Sequence, residues 1–173
     1  MEPFKEGDIV TINNVSYEII KLLGHGKGGY SYLVKSNSTY FVLKKIHHEP
    51  CSYYQFGNKI EAELNDYERL LKIGIRIPKM VSIDKDEEII IKEYIEGETI
   101  KTLVDKKENV QKYIDQLSEF LPLLYSHNLN IDYYPTNFIV NIKNDLIYYI
   151  DYECNNYDPK WNFENWGKEY WIS

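Results

Sequence analysis

The sequence is poor in cysteine and in positive charge and has no long apolar run, and each shortage excludes a class of protein. Its two cysteines, Cys51 and Cys154, lie far apart and form neither a CxxC pair nor a Cys/His cluster with zinc spacing. We therefore expect two reduced thiols rather than a disulfide or a zinc centre. The longest apolar runs are too short to span a membrane, and the chain does not open with a basic segment followed by an apolar one. These features predict a cytoplasmic protein that does not contact a membrane.

Net charge limits the possible binding partners, and chain length limits the number of domains. The 173 residues include 20 Lys and Arg against 27 Asp and Glu, which gives a net charge of −7. This acidic balance argues against direct binding of nucleic acid or of anionic membranes. Apolar residues make up 43% of the chain, enough to fill the core of one domain or of two small lobes.

Hydrophobic patterning predicts an α+β protein in which a sheet precedes most of the helices. Short or alternating apolar runs predict strands in residues 8–20 (two strands around a turn at Asn13 and Asn14), 40–46, 79–84, 87–95, 137–142 and 146–151. Helical spacing predicts a helix over about 58–72 and a longer one over about 109–127. The apolar face of the first helix consists of Ile60, Leu64, Tyr67 and Leu71. Residues 94–97 join an antiparallel sheet with one helix to a mainly helical part.

A glycine cluster lies between two of the predicted strands. Gly24, Gly26 and Gly29 give the spacing GxGxxG. A dinucleotide-binding fold needs a helix start at such a cluster, with the helix N-terminus on the pyrophosphate. Strands on both sides favour instead a hairpin whose backbone amides cover phosphates. A plain glycine-rich hairpin turn is the alternative that the motif alone leaves open.

A lysine follows in the next strand. Lys44 and Lys45 alternate in direction in the segment FVLKK, so one of them should point inward. An inward ammonium group needs a charged partner, because burying it alone is costly. The following helix offers Glu61 and Glu63, although either glutamate could simply face solvent.

The segment IDYYPTNFIV carries the most specific chemistry. Asp132 lies five positions before Asn137, an apolar strand follows, and Asp151 ends the next strand. Phosphoryl transfer requires this set: one carboxylate accepts the proton of the incoming hydroxyl, while an amide oxygen and a second carboxylate hold Mg²⁺ on the phosphates. Asp132 or Asn137 alone would more often be a turn residue. The order of all these pieces favours the chemical interpretation.

The motifs, taken in order, resemble the protein-kinase-like superfamily over the whole chain. GHGKGGYSYLV resembles the glycine-rich loop, FVLK the strand with the phosphate-pairing lysine, and EYIEG the hinge. IDYYPTN is similar to the catalytic loop and IDYE to the metal-binding aspartate motif. The likeness is strongest to compact atypical or bacterial serine/threonine kinases of the KEOPS-complex type. It implies a minimal two-lobed fold, with an antiparallel β-sheet N-lobe (1–93) containing one helix, a hinge (94–97) and a truncated, mainly helical C-lobe (98–173).

The resemblance also implies a role for individual residues. Lys44 would position the α- and β-phosphates of ATP and pair with Glu63, and Asp132 would be the base. Asn137 and Asp151 would hold Mg²⁺. The glycines Gly24, Gly26 and Gly29 would cover the phosphates. The adenine would meet the backbone of Glu93, Tyr94 and Ile95 and the side chains of Val42, Ile139 and Ile150. The expected reaction is transfer of the γ-phosphoryl group of ATP to a hydroxyl, most simply that of a protein serine or threonine.

Departures from the family pattern keep two alternatives open. Asn130 and Ile131 replace the usual histidine and arginine before the catalytic aspartate. The sequence continues only to Ser173, so a full activation loop is not expected and a partner protein would supply the missing substrate platform. Tyr152 and Glu153 after Asp151 resemble aminoglycoside- and choline-type kinases, which act on small molecules. The other alternative is an ATP-binding regulatory module or ATPase with little transferase activity.

Overall fold

The chain folds into two compact units. The computed structural model describes residues 2–26, 28–48 and 58–172, so Cys51 lies outside the described residues. Met1–Ala62 and Lys79–Tyr94 form the first unit, and Glu63–Pro78 and Ile95–Ser173 form the second. The predicted division into lobes of residues 1–93 and 98–173 stays a prediction.

The first unit is built on an antiparallel sheet of six strands. These are β1 (Ile9–Ile12), β2 (Val15–His25), β3 (Gly29–Ser36), β4 (Thr39–Ile46), β5 (Met80–Asp84) and β6 (Ile89–Glu93). Their spatial order is β1-β2-β3-β4-β6-β5, so β4 pairs with β6 and β5 lies at the edge. The predicted antiparallel sheet is confirmed.

Local turn chemistry and an apolar face explain this sheet. Asn13 and Asn14 take φ angles of 50° and 68°, the left-handed region that a two-residue hairpin turn requires and that asparagine tolerates. Inward-facing side chains from five of the strands form one buried core, made of Ile12, Tyr17, Ile19, Tyr30, Tyr32, Val34, Leu43, Ile89 and Ile91.

The helix α1 spans Lys59–Ile73 and begins at a side-chain cap. The Oδ1 atom of Asn58 accepts the N–H of Glu61 at 3.2 Å, which satisfies one of the unpaired amides at the helix start. The predicted apolar face needs one correction: Leu71 is 54% exposed, whereas Leu70 is fully buried. Two adjacent leucines both fit helical spacing, so periodicity could not choose between them.

The second unit combines two helices with short strands. Its main elements are β7 (Gly97–Thr99), α2 (Ile100–Asp105), α3 (Gln111–Ser126), β8 (Leu129–Asn130), β9 (Phe138–Asn141), β10 (Ile147–Tyr149) and β11 (Asn155–Asn156). β9 pairs with β10 on one side and with β7 on the other, and β8 pairs with β11. This unit and the first sheet together confirm the predicted α+β class. In the described ranges, no helix is long and apolar enough to cross a membrane.

Sequence patterning predicted α3 well and missed β7. The helix predicted over about 109–127 is α3, and the apolar residues at helical spacing in and just before it are buried: Val110, Tyr113, Ile114, Leu117, Phe120, Leu121 and Leu124. β7 has only three residues and therefore no usable period. A Cβ on Gly97 would lie 1.7 Å from the carbonyl oxygen of Val140, so glycine is required for β7 to approach β9.

The C-terminal segment is anchored by one tryptophan. Trp171 is 1% exposed, its indole N–H donates to the carbonyl of Tyr133 at 2.8 Å, and its ring packs against Phe138 and Phe163. Trp161, in contrast, is 48% exposed. The core role expected for large aromatic side chains therefore falls on Trp171.

We expect the variant Trp171→Ala to lower the free energy of unfolding by about 3–5 kcal/mol, because it empties a packed site and leaves a buried carbonyl without its donor. The matched control Trp161→Ala should cost less than about 1 kcal/mol. Urea denaturation of both variants measures the difference, and equal losses would contradict this account of the anchor.

Candidate active site

The hairpin of β9 and β10 brings two of the predicted site residues to the same end. Phe138 pairs with Tyr149, so Asn137 immediately precedes β9 where Ile150 and Asp151 follow β10. The N–H of Ile150 donates to the carbonyl of Asn137 at 2.9 Å, which extends the ladder by one step. Asn137 and the Ile150–Asp151 segment are therefore held next to each other by backbone pairing.

Asp132 is tied to the same end of the hairpin by short-range bonds. The side-chain amide of Asn137 donates to the carbonyl of Asp132 at 3.4 Å. The Oδ1 atom of Asp132 accepts the N–H of Tyr134 at 3.1 Å, which fixes the direction of the carboxylate. A short helical turn over Pro135–Asn137 completes the five-residue spacing that the sequence shows.

Tyr149 links the Asp132 loop to the segment that carries Asp151. Its side chain is fully buried. The phenol oxygen accepts the N–H of Asp132 at 3.2 Å and donates its proton to the carbonyl of Glu153 at 2.8 Å. Sequence analysis assigned no role to Tyr149. Its inward position in a strand of alternating period was the available signal, because a buried phenol needs a hydrogen-bond partner.

Burial and nearby carboxylates shift the pKa of the Tyr149 phenol. Burial raises the pKa of the Tyr149 phenol well above its ordinary value, and the negative charge of Asp151 raises it further. The hydrogen bond from the Asp132 N–H lowers this pKa. The charges of Glu153 and Asp132 raise it. Tyr149 therefore stays a neutral phenol that can donate one hydrogen bond and accept another.

Two side chains of α1 bind the segment that follows Asp151. The Asp66 side chain accepts the backbone N–H of Cys154 at 3.3 Å, and Arg69 donates to the Cys154 sulfur at 3.0 Å. Burial raises the pKa of the Cys154 thiol to about 12, with the Asp66 charge contributing. Cys154 is therefore a protonated thiol, as expected for a reduced cysteine. Its contacts with Asp66 and Arg69 hold the segment in place.

The side chain of Asn130 uses both its amide nitrogen and its amide oxygen in hydrogen bonds. Its Nδ2 donates to the carbonyl of Asp158 at 3.0 Å, and its Oδ1 accepts the Tyr133 hydroxyl at 3.3 Å. Asn130 thus joins the Asp132 loop to the C-terminal segment.

In the first unit, the glycine cluster forms a hairpin between β2 and β3, as predicted. His25 pairs with Tyr30, and the N–H of Gly26 donates to the carbonyl of Gly29 at 3.0 Å. A Cβ on Gly29 would lie 2.4 Å from the carbonyl oxygen of Lys45, whereas no atom of the described residues lies within 4 Å of a Cβ on Gly24 or Gly26. Gly29 is therefore required for packing, and Gly24 and Gly26 leave open space beside their backbone.

Lys44 lies in β4 opposite Ser31 of β3 and Ile90 of β6, and its side chain is half-buried. Glu61 forms an ion pair with Lys85 at 2.7 Å. Glu63 begins the α1 portion that belongs to the second unit. The inward direction of Lys44 and its pairing with Glu63 stay predictions.

The residues predicted to meet adenine are divided between the two units. Val42 is buried in β4, and Glu93, at the end of β6, uses its N–H to bond the carbonyl of Lys79 at 2.8 Å. Tyr94 is half-buried and is the last residue of the first unit. Ile95 is buried in the second unit, where Ile139 and Ile150 are half-buried.

The end of the β9–β10 hairpin carries two side chains of the types that bind magnesium in proteins, the amide of Asn137 and the carboxylate of Asp151. Because the Asn137 nitrogen donates to Asp132, its Oδ1 is the end that faces away from that carbonyl. An amide oxygen and a carboxylate, completed by phosphate and water oxygens, suit Mg²⁺. Among the described residues, no cluster of three or more His, Cys, Asp or Glu side chains could hold a metal ion by itself.

Comparison with known proteins identifies similar kinases. The chain is 34% identical over 151 residues to an Aurora kinase of Yarrowia lipolytica, a match that covers 79% of this chain and 38% of that protein. It is 42% identical over 69 residues to the serine/threonine-protein kinase ppk13 of Schizosaccharomyces pombe, covering 39% of this chain and 19% of that protein. No protein-family model matches the chain.

A solved structure of vaccinia related kinase 3 has a similar fold. It gives a TM-score of 0.58 at 14% identity and covers 92% of this chain and 55% of that one. The fold of the chain is therefore protein-kinase-like, as predicted. The chain spans well under half the length of the two curated relatives.

The two kinds of glycine in the hairpin give a stability prediction. Gly29→Ala should lower the free energy of unfolding by about 1–3 kcal/mol, because the new methyl group collides with the β4 backbone. The matched control Gly24→Ala should change it by less than about 1 kcal/mol. Chemical denaturation of both variants provides the measurement, and a Gly29→Ala variant as stable as the wild type would show that the close approach is absent.

Proposed function

We propose that the chain is an ATP-dependent phosphotransferase that transfers the γ-phosphoryl group to a hydroxyl of a protein serine or threonine. The observation that carries this proposal is the gathering of Asp132, Asn137 and Asp151 at one end of the β9–β10 hairpin. The kinase-like fold and the two kinase relatives support it.

Asp132 is the proposed base. One of its carboxylate oxygens accepts the Tyr134 N–H, and the other would take the proton of the acceptor hydroxyl. The acceptor oxygen then forms a bond to the γ-phosphorus, and the bond from that phosphorus to the bridging oxygen of ADP breaks. Little covalent chemistry falls to the protein, so positioning and charge neutralisation dominate.

The remaining site residues are assigned to binding. Asn137 and Asp151 would hold the Mg²⁺ ion, which when bound neutralises charge on the phosphates. Lys44, held by Glu63, would position the α- and β-phosphates. The space beside the backbone of Gly24 and Gly26 would accommodate the phosphates. Val42, Glu93, Tyr94, Ile95, Ile139 and Ile150 would contact adenine.

A small hydroxylated molecule is the alternative to a protein as the phosphoryl acceptor. Tyr152 and Glu153 follow Asp151, as in the small-molecule kinases that the sequence resembles in this motif. We favour a protein acceptor because one of the two curated relatives is by name a serine/threonine-protein kinase. A cytoplasmic location, a KEOPS-type relationship and a partner protein that completes the acceptor platform belong to the same proposal. Assays with protein and with small hydroxylated acceptors separate the two classes.

The variant Asp132→Ala should lower the rate of phosphoryl transfer by about 10²- to 10⁴-fold, because the acceptor proton loses its base. The affinity for Mg·ATP should stay nearly unchanged. Transfer is measured by mass spectrometry of phosphorylated protein, and ATP affinity by thermal-shift titration. The matched control is Asp145→Ala, at the turn end of the same hairpin, where the carboxylate pairs with Lys112 at 2.6 Å. Turnover by Asp132→Ala equal to that of the wild type would refute the assignment of the base.

The variant Asp151→Ala should abolish the part of ATP binding that depends on Mg²⁺, since it removes the carboxylate ligand. Thermal-shift titration with ATP, in the presence of Mg²⁺ and of EDTA, measures that part in the variant and in the wild type. We expect a magnesium-dependent shift in the wild type and in Asp145→Ala. An unchanged magnesium dependence in Asp151→Ala would place the metal elsewhere.

A further inference from the structure

We propose that Tyr149 is a positioning residue for the transfer, whose hydroxyl holds the Asp132 loop at a fixed separation from the segment Asp151–Glu153. The inference rests on the proposed phosphotransferase function and assigns a further residue to its site.

The contacts of the phenol oxygen carry the proposal. It accepts the backbone N–H of Asp132 at 3.2 Å and donates to the backbone carbonyl of Glu153 at 2.8 Å. One of these partners is the proposed base itself, and the other lies two residues after the proposed metal ligand Asp151. A single oxygen therefore connects two segments that are distant in sequence and must act together.

The hydroxyl contributes something that the ring cannot supply. The Tyr149 ring packs against Phe138 with the ring centroids 5.3 Å apart, and a phenylalanine would preserve that contact. Removal of the oxygen alone leaves the N–H of Asp132 and the carbonyl of Glu153, both in half-buried residues, without this partner. The backbone of the Asp132 loop could then move relative to the metal-ligand segment while the hydrophobic packing stays intact.

The side chains of Asn130 and Asn137 also lie near the Asp132 loop, but they make different bonds. The side chain of Asn130 is bound to the carbonyl of Asp158 and to the Tyr133 hydroxyl. Asn137 contacts the carbonyl of Asp132 at 3.4 Å, a longer bond than either bond of Tyr149. Tyr149 thus makes the shorter bond to the backbone of the proposed base and is the residue that continues from it to Glu153.

The variant Tyr149→Phe tests the role. We expect kcat to fall by about 10- to 100-fold, because a small displacement of a base from the reacting hydroxyl costs rate. KM for ATP should change by less than about threefold, since the substituted group does not contact the nucleotide in this proposal. A purely structural role would lower the fraction of folded enzyme and would not separate kcat from KM after correction for that fraction.

Tyr113→Phe is the matched control. Tyr113 is also buried, and its hydroxyl donates to the Asp145 carboxylate at 2.6 Å at the opposite end of the β9–β10 hairpin. Removing this hydroxyl also deletes a tyrosine hydrogen bond but leaves the Asp132 loop untouched. We expect unchanged kcat in this control.

Amide hydrogen exchange, followed by NMR, gives a readout that does not require activity. In the wild type, the Asp132 N–H should be protected, and in Tyr149→Phe its exchange should accelerate at least tenfold relative to amides of β9. If the wild type shows this pattern but transfers no phosphate, the proposed function fails and the hydroxyl link stands. A wild-type Asp132 amide that exchanges without protection would overturn the link, even if Tyr149→Phe does not fold. With active wild type, an unchanged kcat in folded Tyr149→Phe would overturn the positioning role.

Discussion

The pairing of β9 with β10 is the constraint on which the candidate site depends. Its register places Asn137 just before one strand and Asp151 just after the other, so the backbone ladder sets their proximity before any side-chain contact is made. A slip of one residue would exchange the two faces of the hairpin. It would turn the buried Tyr149 outward and remove the hydroxyl that connects the Asp132 loop to Glu153.

The two units contribute different kinds of structure to the proposed chemistry. The second unit supplies carboxylate and amide groups on backbone that is bonded on several sides, which is the arrangement that preorganised catalysis requires. The first unit supplies a sheet with a glycine hairpin, in which Gly29 is fixed by packing while Gly24 and Gly26 have open space beside them. The single GxGxxG spacing therefore contains one glycine that close packing requires and two whose surroundings leave space beside the backbone.

The features that were predicted correctly depend on local interactions. The Asn13–Asn14 turn and the apolar face of α3 both follow from residues close in the chain. The roles of Asp132 and Asn137 stay predictions. Sequence reasoning did not find β7, whose existence depends on contact with β9, and it chose Leu71 over Leu70 in α1. The hydrogen bonds of Tyr149 were not predicted either. Its hydroxyl binds the backbone of Asp132 and of Glu153, one segment before it and one after it in the chain, and only folding brings these groups together. The same limit applies to Lys44 and Glu63, whose pairing stays a prediction.

Paramagnetic broadening by Mn²⁺ would show whether Asn137 and Asp151 bind one metal ion at the end of the hairpin. Mn²⁺ would be added to isotope-labelled protein with a non-hydrolysable ATP analogue, and the NMR signals of the hairpin would be followed. We expect the strongest broadening at the Asn137 side-chain amide and at the Asp151 backbone amide, weaker broadening at Asp145, and loss of the pattern in Asp151→Asn. Strong broadening at Asp151 with a sharp Asn137 side-chain signal would contradict this expectation.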